Sequence, residues 1–278
     1  HNVAAVAGVE SIKRDTPTSW LHAIPTANAL HLIDYETMDT YNDEGNETEA
    51  RLGWMFRGNY DYANKYLVEF SARYDGSWKF PPDHRWGFFP SGGLGWVVSN
   101  EKFWADKPIS KVVNMLKLKG SYGLVGNDNI SNNDNRFFYL SEVNMNNSGR
   151  GMNFGTNFDE GYNGISISRY ANPKIGWEIS HKMNVGFELK LFNDLEIQAE
   201  YFKERRTNIL QERADIPSLM GFQAPIRANI GEAKGQGVDI SLDYSHIFNK
   251  NLWTTITVSY THLRSPRDRS VSRMPSSA

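Results

Sequence analysis

Two adjacent stretches decide the fold: NKYLVEFSARYDG at residues 64–76 and RWGFFPSGGLGWVV at residues 85–98. In the first, the even-numbered positions from Tyr66 to Tyr74 are apolar or aromatic, whereas most odd-numbered positions are polar or charged. Successive side chains of a β-strand point to opposite sides, so this pattern predicts a long strand with one apolar face and one charged face. The second stretch repeats it and predicts the returning strand of a hairpin.

The same alternation recurs along the chain and predicts an all-β fold of about ten antiparallel strands, with no helix of ordinary length. The predicted strands lie at residues 1–14, 51–61, 64–76, 85–98, 116–124, 136–143, 164–170, 182–191, 195–201, 238–244 and 252–260. Predicted tight turns lie at 62–64, 193–194 and 249–251, and predicted long connections at 15–48, 76–85 and 208–227. Residues 101–105 are expected to form one helical turn.

The composition excludes several classes of function. The 278 residues carry a net charge of −2, which gives no reason to expect nucleic acid as a partner. The chain has no cysteine, so disulfides and thiolate metal sites are excluded. The seven histidines show no metal-ligand spacing, and no arrangement of nucleophile, base or paired carboxylates indicates an enzyme. No cofactor is expected.

Alternation alone is compatible with two folds, a soluble barrel or sandwich with its apolar faces inside and a membrane barrel with its apolar faces outside. Connections that alternate between tight and long are typical of the membrane barrel. Eleven residues at about 3.3 Å each reach about 36 Å, or about 28 Å at a tilt of about 40°, which spans an apolar band of about 25 Å. Both features favour the membrane barrel. A soluble carbohydrate-binding barrel or sandwich and a passive porin remain the alternatives.

Four motifs resemble the SusC/RagA family of TonB-dependent outer-membrane transporters, and they occur in the family's order. RYDGSWKF, RWGFFPS and GW resemble its "RxDGSSRF…RWGxFPS…GW" hairpin, LKLKGSYGLVGN its "LKLRxSYGxxGN", NPKIGWE its "NPDLKWE", and NIGE with GVDI its "NxGxxxNKGVEL". In this chain they occupy residues 73–80, 85–91, 95–96, 116–127, 172–178, 229–232 and 237–240.

The resemblance implies a plugged barrel of about 22 strands, of which this chain supplies under half as an open half-barrel. It also implies import of oligosaccharides or peptides across the outer membrane, with outer-membrane lipid around the barrel. The implied partners are a SusD-like surface lipoprotein and the TonB complex, the latter through an N-terminal segment absent from this sequence. Because the chain opens on His1 and already alternates there, we expect a targeting segment upstream.

Three loop residues, Trp78, Asn127 and Asp128, are candidates for ligand contact. Glycans stack on aromatic faces and hydrogen-bond to amides and carboxylates, although a role in a girdle or a turn would also explain these residue types. The acidic residues between Asp34 and Glu49, and Asp128 with Asp134, could hold a hard cation but lack a regular ligand spacing.

Two domains are expected. Residues 1–262 form the partial barrel, and residues 263–278 form an atypical tail that is disordered or artefactual, because alternation ends there and the sequence becomes basic and rich in Ser and Pro. In the barrel, Val185→Arg on the apolar face should destabilise the protein, whereas Glu196→Arg on the polar face should have little effect.

Overall fold

The computed structural model describes residues 1–23, 38–130, 137–249 and 252–264. Within them the chain forms eleven strands, a short helix α1 (Lys102–Ala105) and several 3₁₀ turns. The strands are β1 (Asn2–Ala23), β2 (Met38–Tyr62), β3 (Tyr66–Ser77), β4 (Trp86–Val97), β5 (Val113–Asn127), β6 (Glu142–Phe154), β7 (Glu160–Arg169), β8 (Glu178–Leu191), β9 (Leu195–Glu212), β10 (Arg227–Asn249) and β11 (Leu252–Arg264). None of the described helices is long and apolar enough to cross a membrane.

Nine strands form one antiparallel sheet in the order β1-β2-β3-β4-β5-β8-β9-β10-β11, and β6 pairs with β7 in a separate hairpin. Each strand of the large sheet is paired to its neighbour in sequence, except that the hairpin is inserted between β5 and β8. Within the described residues, β1 and β11 are not paired to each other. The predicted open antiparallel half-barrel is therefore confirmed.

The pairing register keeps the two kinds of side chain on opposite faces from β2 to β11. Aromatic and aliphatic residues lie opposite one another from strand to strand, as in Trp54–Tyr74–Phe88, Trp96–Leu118–Phe187 and Val185–Tyr201–Val238. We call this side of the sheet the apolar face and the opposite side the polar face. Most of these apolar side chains are exposed, and they do not meet across a closed interior in the described part of the chain.

The polar face is the concave one. Lys119 on β5 contacts Glu200 on β9, two strands away, above Gly186 of the intervening β8. Arg73 on β3 likewise bonds Glu10 on β1 at 3.0 Å, above Gly53 of β2. Side chains two strands apart meet only where the sheet curls toward them. The glycine on the middle strand has no side chain and therefore leaves space for this contact.

Gly186→Ala should test this role of glycine. A Cβ at Gly186 would meet the carbonyl oxygen of Ala199 and lie 2.7 Å from Cγ of Glu200. Because the backbone cannot move aside as a flexible side chain can, we expect destabilisation by about 1–3 kcal/mol, measured by denaturant unfolding of the full-length protein. The matched control is Gly93→Ala on the same face, where the nearest atom would be 3.8 Å away. Equal effects of the two changes would contradict this explanation.

Long and short connections lie at opposite ends of the sheet. The end that we call the turn rim carries residues 63–65, 98–112 and 192–194, and the end that we call the loop rim carries 78–85, 128–130, 137–177 and 213–226, while residues 24–37, 131–136 and 250–251 lie outside the described residues. The predicted alternation is present, with one exception. The connection at 98–112 is long although it lies at the turn rim, and it includes the expected helical turn as α1.

Two parts of the predicted strand pattern were wrong. The connection predicted at 15–48 is largely strand, because β1 continues to Ala23 and β2 begins at Met38, with Asp15 opposite Thr48 and Leu21 opposite Asn42. Backbone hydrogen bonds hold this pairing. Beyond the apolar band the side chains need not alternate, so the sequence pattern gives no sign of a strand.

The hairpin of β6 and β7 was also misplaced, since strands were predicted at 136–143 and 164–170 with an Asn/Gly-rich connection between them. That connection is itself strand β6, and the turn lies at 155–159. Asn144 and Asn147 accept hydrogen bonds from the backbone two residues ahead, both at 2.9 Å, and the register shifts three times. Irregular pairing between polar strands leaves no period-two signal.

Candidate functional site

The three predicted ligand-contact residues lie together at the loop rim, where β3 and β5 end. Trp78 is half-buried, and its ring meets that of Phe137 edge-on at 4.9 Å. Asn127 is half-buried and Asp128 is buried, only 7% exposed. The structure therefore brings the three residues to one rim, but it gives each of them protein contacts of its own. Their role in ligand contact remains a prediction.

A buried polar network fixes this rim. Asp128 accepts a hydrogen bond of 2.7 Å from the Ser77 hydroxyl and pairs with the Arg51 guanidinium at 3.1 Å. Asn127 donates to Glu178 at 3.3 Å, and Glu178 pairs with Arg206 at 2.5 Å. A buried charge is tolerated when it is paired and hydrogen-bonded, so these contacts account for the buried carboxylates of Asp128 and Glu178.

Hydrogen bonds from side chains to backbone groups join motifs that lie far apart in sequence. The Trp177 indole donates to the carbonyl oxygen of Arg85 at 3.0 Å. Asn229 accepts a hydrogen bond from the backbone NH of Gly176 at 3.2 Å and donates to its carbonyl oxygen at 3.1 Å. The segments NPKIGWE and NIGE therefore meet each other and the hairpin of β3 and β4. These three parts of the predicted motifs therefore form one assembly at the loop rim.

A small apolar core, which we call the rim core, lies beneath these contacts and consists of Phe80, Phe138 and Ile175. Phe80 and Ile175 have no exposed surface. Half-buried apolar residues pack around the rim core: Ile130, Tyr139, Trp177 and Leu210. Among the described residues this is the cluster of fully buried side chains, and it lies at the end of the sheet rather than on either face.

A cleft of about 560 Å³ opens on the polar face and reaches from β1 to β9. Charged and amide side chains line it, including Arg57, Glu69, Lys117, Lys119, Asn184 and Glu200. Glu188 lies between two lysines, with Lys117 at 3.2 Å and Lys119 at 3.0 Å. Such a surface suits water and polar solutes rather than an apolar ligand. In the described residues, His, Asp and Glu form no group of three that could hold a metal ion.

At the turn rim one carboxylate fastens the 98–112 connection to the sheet. Glu101 accepts hydrogen bonds from Lys65 at 3.0 Å, from the Tyr66 hydroxyl at 2.8 Å and from the Trp96 indole at 3.3 Å. The bond from Lys65 contributes most to lowering the pKa of Glu101 below its usual range, followed by the bond from Tyr66. Glu101 therefore stays ionised at neutral pH, and it lies beside the aromatic side chains that end the apolar face.

The acidic stretch considered for a cation is only partly described. Asp34, Glu36 and Asp134 lie outside the described residues, and strand β2 runs through the rest of the stretch as far as Glu49. The tail from residue 265 onward also lies outside them, while β11 continues as far as Arg264.

The sequence analysis missed the rim core and the lysine–glutamate contacts of the polar face. The sequence signal for those contacts was the alternation along the strands, which places Lys117, Lys119, Glu188 and Glu200 on the polar face. Alternation cannot reveal which of these residues meet across an intervening strand. For the rim core no periodic signal exists, because its members come from three irregular segments, which precede β4, β6 and β8.

The fold and the site define a class, that of large β-barrels with an apolar outer face, a polar lumen and long connections at one rim. Residues 8–277 match the family model described as TonB dependent receptor-like, beta-barrel. The chain belongs to this family of TonB-dependent receptors and is SusC/RagA-like, which confirms the resemblance of its motifs.

Relatives and solved structures agree with this assignment. The chain is 32% identical over 212 residues to TonB-dependent receptor P3 of Formosa agariphila, covering 76% of this chain and 20% of that protein. It is 29% identical over 234 residues to TonB-dependent receptor SusC of Bacteroides thetaiotaomicron, covering 80% of this chain and 22% of that protein. The RagAB peptide importer in its open-open state superposes with a TM-score of 0.73 at 24% identity, over 95% of this chain and 27% of that one. The chain thus spans about a fifth of the length of these curated relatives.

Proposed function

We propose that the whole protein imports nutrients across the outer membrane, driven by the TonB complex, and that its cargo is an oligosaccharide or a peptide too large for passive diffusion. The observation that carries the proposal is the two-faced sheet, because exposed apolar rows on one side suit acyl chains and the charged concave side suits a water-filled lumen. Family membership supplies the transport activity, and no enzymatic step is proposed.

The partners of the proposed transporter follow from the same assignment. The RagAB structure is described as a peptide importer, and the SusC relative supports a SusC-like system, so we propose a SusD-like surface lipoprotein at the loop rim. The loop rim is the end with the long connections, which in bacterial outer-membrane barrels face the outside of the cell. Coupling to TonB is assigned to parts of the protein other than these residues.

Within the loop rim we propose Trp78 as a contact for cargo, with Asn127 and Asp128 holding the rim in shape around it. Support comes from the difference in their surroundings. The charge of Asp128 is already paired with Arg51, and the amide of Asn127 bonds Glu178, whereas Trp78 presents an aromatic ring at the same rim. An aromatic ring can stack on a sugar or on an apolar peptide side chain.

An uptake experiment tests the proposed function. The gene is deleted in its source organism, and uptake of labelled oligosaccharides and labelled peptides is measured in the deletion strain and in the strain that carries the restored gene. We expect deletion to abolish uptake of one cargo class, the restored gene to recover it, and a protonophore to abolish it again. Uptake that survives the protonophore would indicate a passive porin and overturn the proposal, as would uptake that does not depend on the gene.

The proposed role of Trp78 is tested in the same assay. We expect Trp78→Ala to raise the half-saturating cargo concentration about 3- to 10-fold, as the loss of an aromatic stacking contact does. The control is Trp253→Ala, an exposed tryptophan on β11 next to the turn rim. If both variants behave like the unchanged protein, Trp78 does not contact cargo.

A further inference from the structure

A row of tyrosines marks one boundary of the apolar face. Three tyrosine hydroxyls on this face bond a polar residue that lies closer to the loop rim: Tyr122 with His181 at 3.0 Å, Tyr201 with Gln236 at 3.1 Å and Tyr260 with His262 at 3.4 Å. On β2 to β4 the corresponding place holds stacked rings, with Tyr74 lying 5.9 Å from Trp54 and 5.0 Å from Trp86. Tyrosine and tryptophan are enriched at membrane–water interfaces.

The row of tyrosines runs obliquely across the strands, as a membrane boundary does in a barrel with tilted strands. Phe70, Tyr122 and Lys203 are aligned across the sheet by the strand pairing, which continues from β3 to β11 and serves as a reference line. Tyr74 lies four residues from this line on the side of the loop rim, and Tyr260 lies four residues from it on the side of the turn rim. Eight residues at about 3.3 Å over six strand spacings of about 4.8 Å correspond to a tilt of about 42°. This lies within the tilt of about 35–45° found in membrane barrels.

Beyond this row the apolar face carries charge. Lys203, Arg205 and Lys234, which we call the basic cluster, share the face of Tyr201, because Lys203 and Arg205 follow it by two and four residues and Lys234 lies opposite Arg205. The side chains of Arg205 and Lys234 are 54% and 55% exposed. These cations point away from the lumen and cannot meet cargo there.

One carboxylate forms ion pairs with two of the three cations. Glu232 lies 2.6 Å from Arg205 and 3.1 Å from Lys234, while Lys203 forms no ion pair with a described residue. The basic cluster together with Glu232 therefore keeps two uncompensated positive charges, immediately outside the apolar band. Lipid phosphates lie at this level of a bilayer, and each Lys or Arg near an anionic membrane surface contributes attraction. Arg205 can also bond a phosphate through two parallel NH groups.

We propose that the basic cluster binds the phosphate groups of anionic lipids in the outer leaflet. The tyrosine row places the acyl chains against the apolar face, and the basic cluster meets the headgroups directly above them. This inference rests on the membrane position included in the proposed function, but it names a ligand of the outer surface rather than a cargo of the lumen.

The test uses the full-length protein reconstituted in phosphatidylcholine bilayers, with fluorescent phosphatidylglycerol as the probe. The variant is Lys203→Gln with Lys234→Gln, which removes the two uncompensated charges and leaves the pair of Arg205 and Glu232 intact. We expect it to weaken binding of the probe about 10- to 30-fold and to remove most of the salt dependence. The control, Lys182→Gln with Lys190→Gln, removes the same charge from the polar face of β8 and should leave binding unchanged.

Three outcomes overturn the proposal. In the first, the unchanged protein prefers phosphatidylglycerol no more than phosphatidylcholine. In the second, the control variant loses as much binding as the test variant. In the third, millimolar inorganic phosphate competes with the probe, which would show a site for free anions. Failure of the membrane position in the proposed function is recognised separately, because the unchanged protein would then not enter bilayers at all. Failure of this inference leaves an inserted protein without lipid preference, and failure of TonB-driven import is recognised in the uptake assay with the protonophore.

Discussion

Phe80→Ala is expected to destabilise the loop rim by about 3–5 kcal/mol, the usual effect of truncating a fully buried phenylalanine. Phe80 has no exposed surface, and its ring lies 5.2 Å from that of Trp177. Removing it leaves a cavity between three segments that are distant in sequence. The rim core should then open while the strands of the sheet remain paired.

Limited proteolysis of the folded full-length protein measures this effect, because cleavage under native conditions follows the population of the locally open state. We expect cleavage within residues 78–85 and 171–177 to become more than 100-fold faster. The control is Leu219→Ala, also at the loop rim, where the leucine is 97% exposed. Slow cleavage in Phe80→Ala, or equal cleavage in the two variants, would show that the rim core does not hold these segments together.

Val185→Arg should destabilise the barrel by about 2–4 kcal/mol, because it places a charge among acyl chains within the apolar band. Val185 lies on the apolar face, 53% exposed, opposite Tyr201 and Gly120. In a bilayer that exposed surface would contact lipid. The measurement is a guanidinium titration of the full-length protein folded in phosphatidylcholine vesicles.

Asn184→Arg is the matched control, since Asn184 is the preceding residue on β8 and lies at the same depth on the polar face. Glu196→Arg on the same face of β9 serves as a second control. Both arginines can remain in the aqueous lumen, so we expect changes below about 1 kcal/mol. If Val185→Arg and the two controls are equally destabilising, the apolar face does not contact lipid and the membrane assignment fails.

Much of the fold could be predicted where one face of a strand must differ from the other. The strands from β2 to β5 and from β8 to β11 follow the predicted alternation, with Val68, Leu118, Val185 and Ile240 on the apolar face. Outside the apolar band that constraint disappears. The extension of the β1–β2 pair and the hairpin of β6 and β7 were mispredicted for this reason, because their pairing depends on backbone hydrogen bonds and leaves no periodic signal.

The sequence by itself determined the two-faced strands and the family, whereas the tertiary structure brought Trp78, Asn127 and Asp128 to one rim. Only the tertiary structure decided that Asp128 pairs with Arg51, that Phe80 is enclosed, and that Lys203 lies beside Arg205 and Lys234 outside the lumen. The physical reason is one of distance along the chain. Alternation is a local property that neighbouring residues fix, whereas ion pairs, buried contacts and charge clusters depend on strand register and curvature, which no short stretch of sequence specifies.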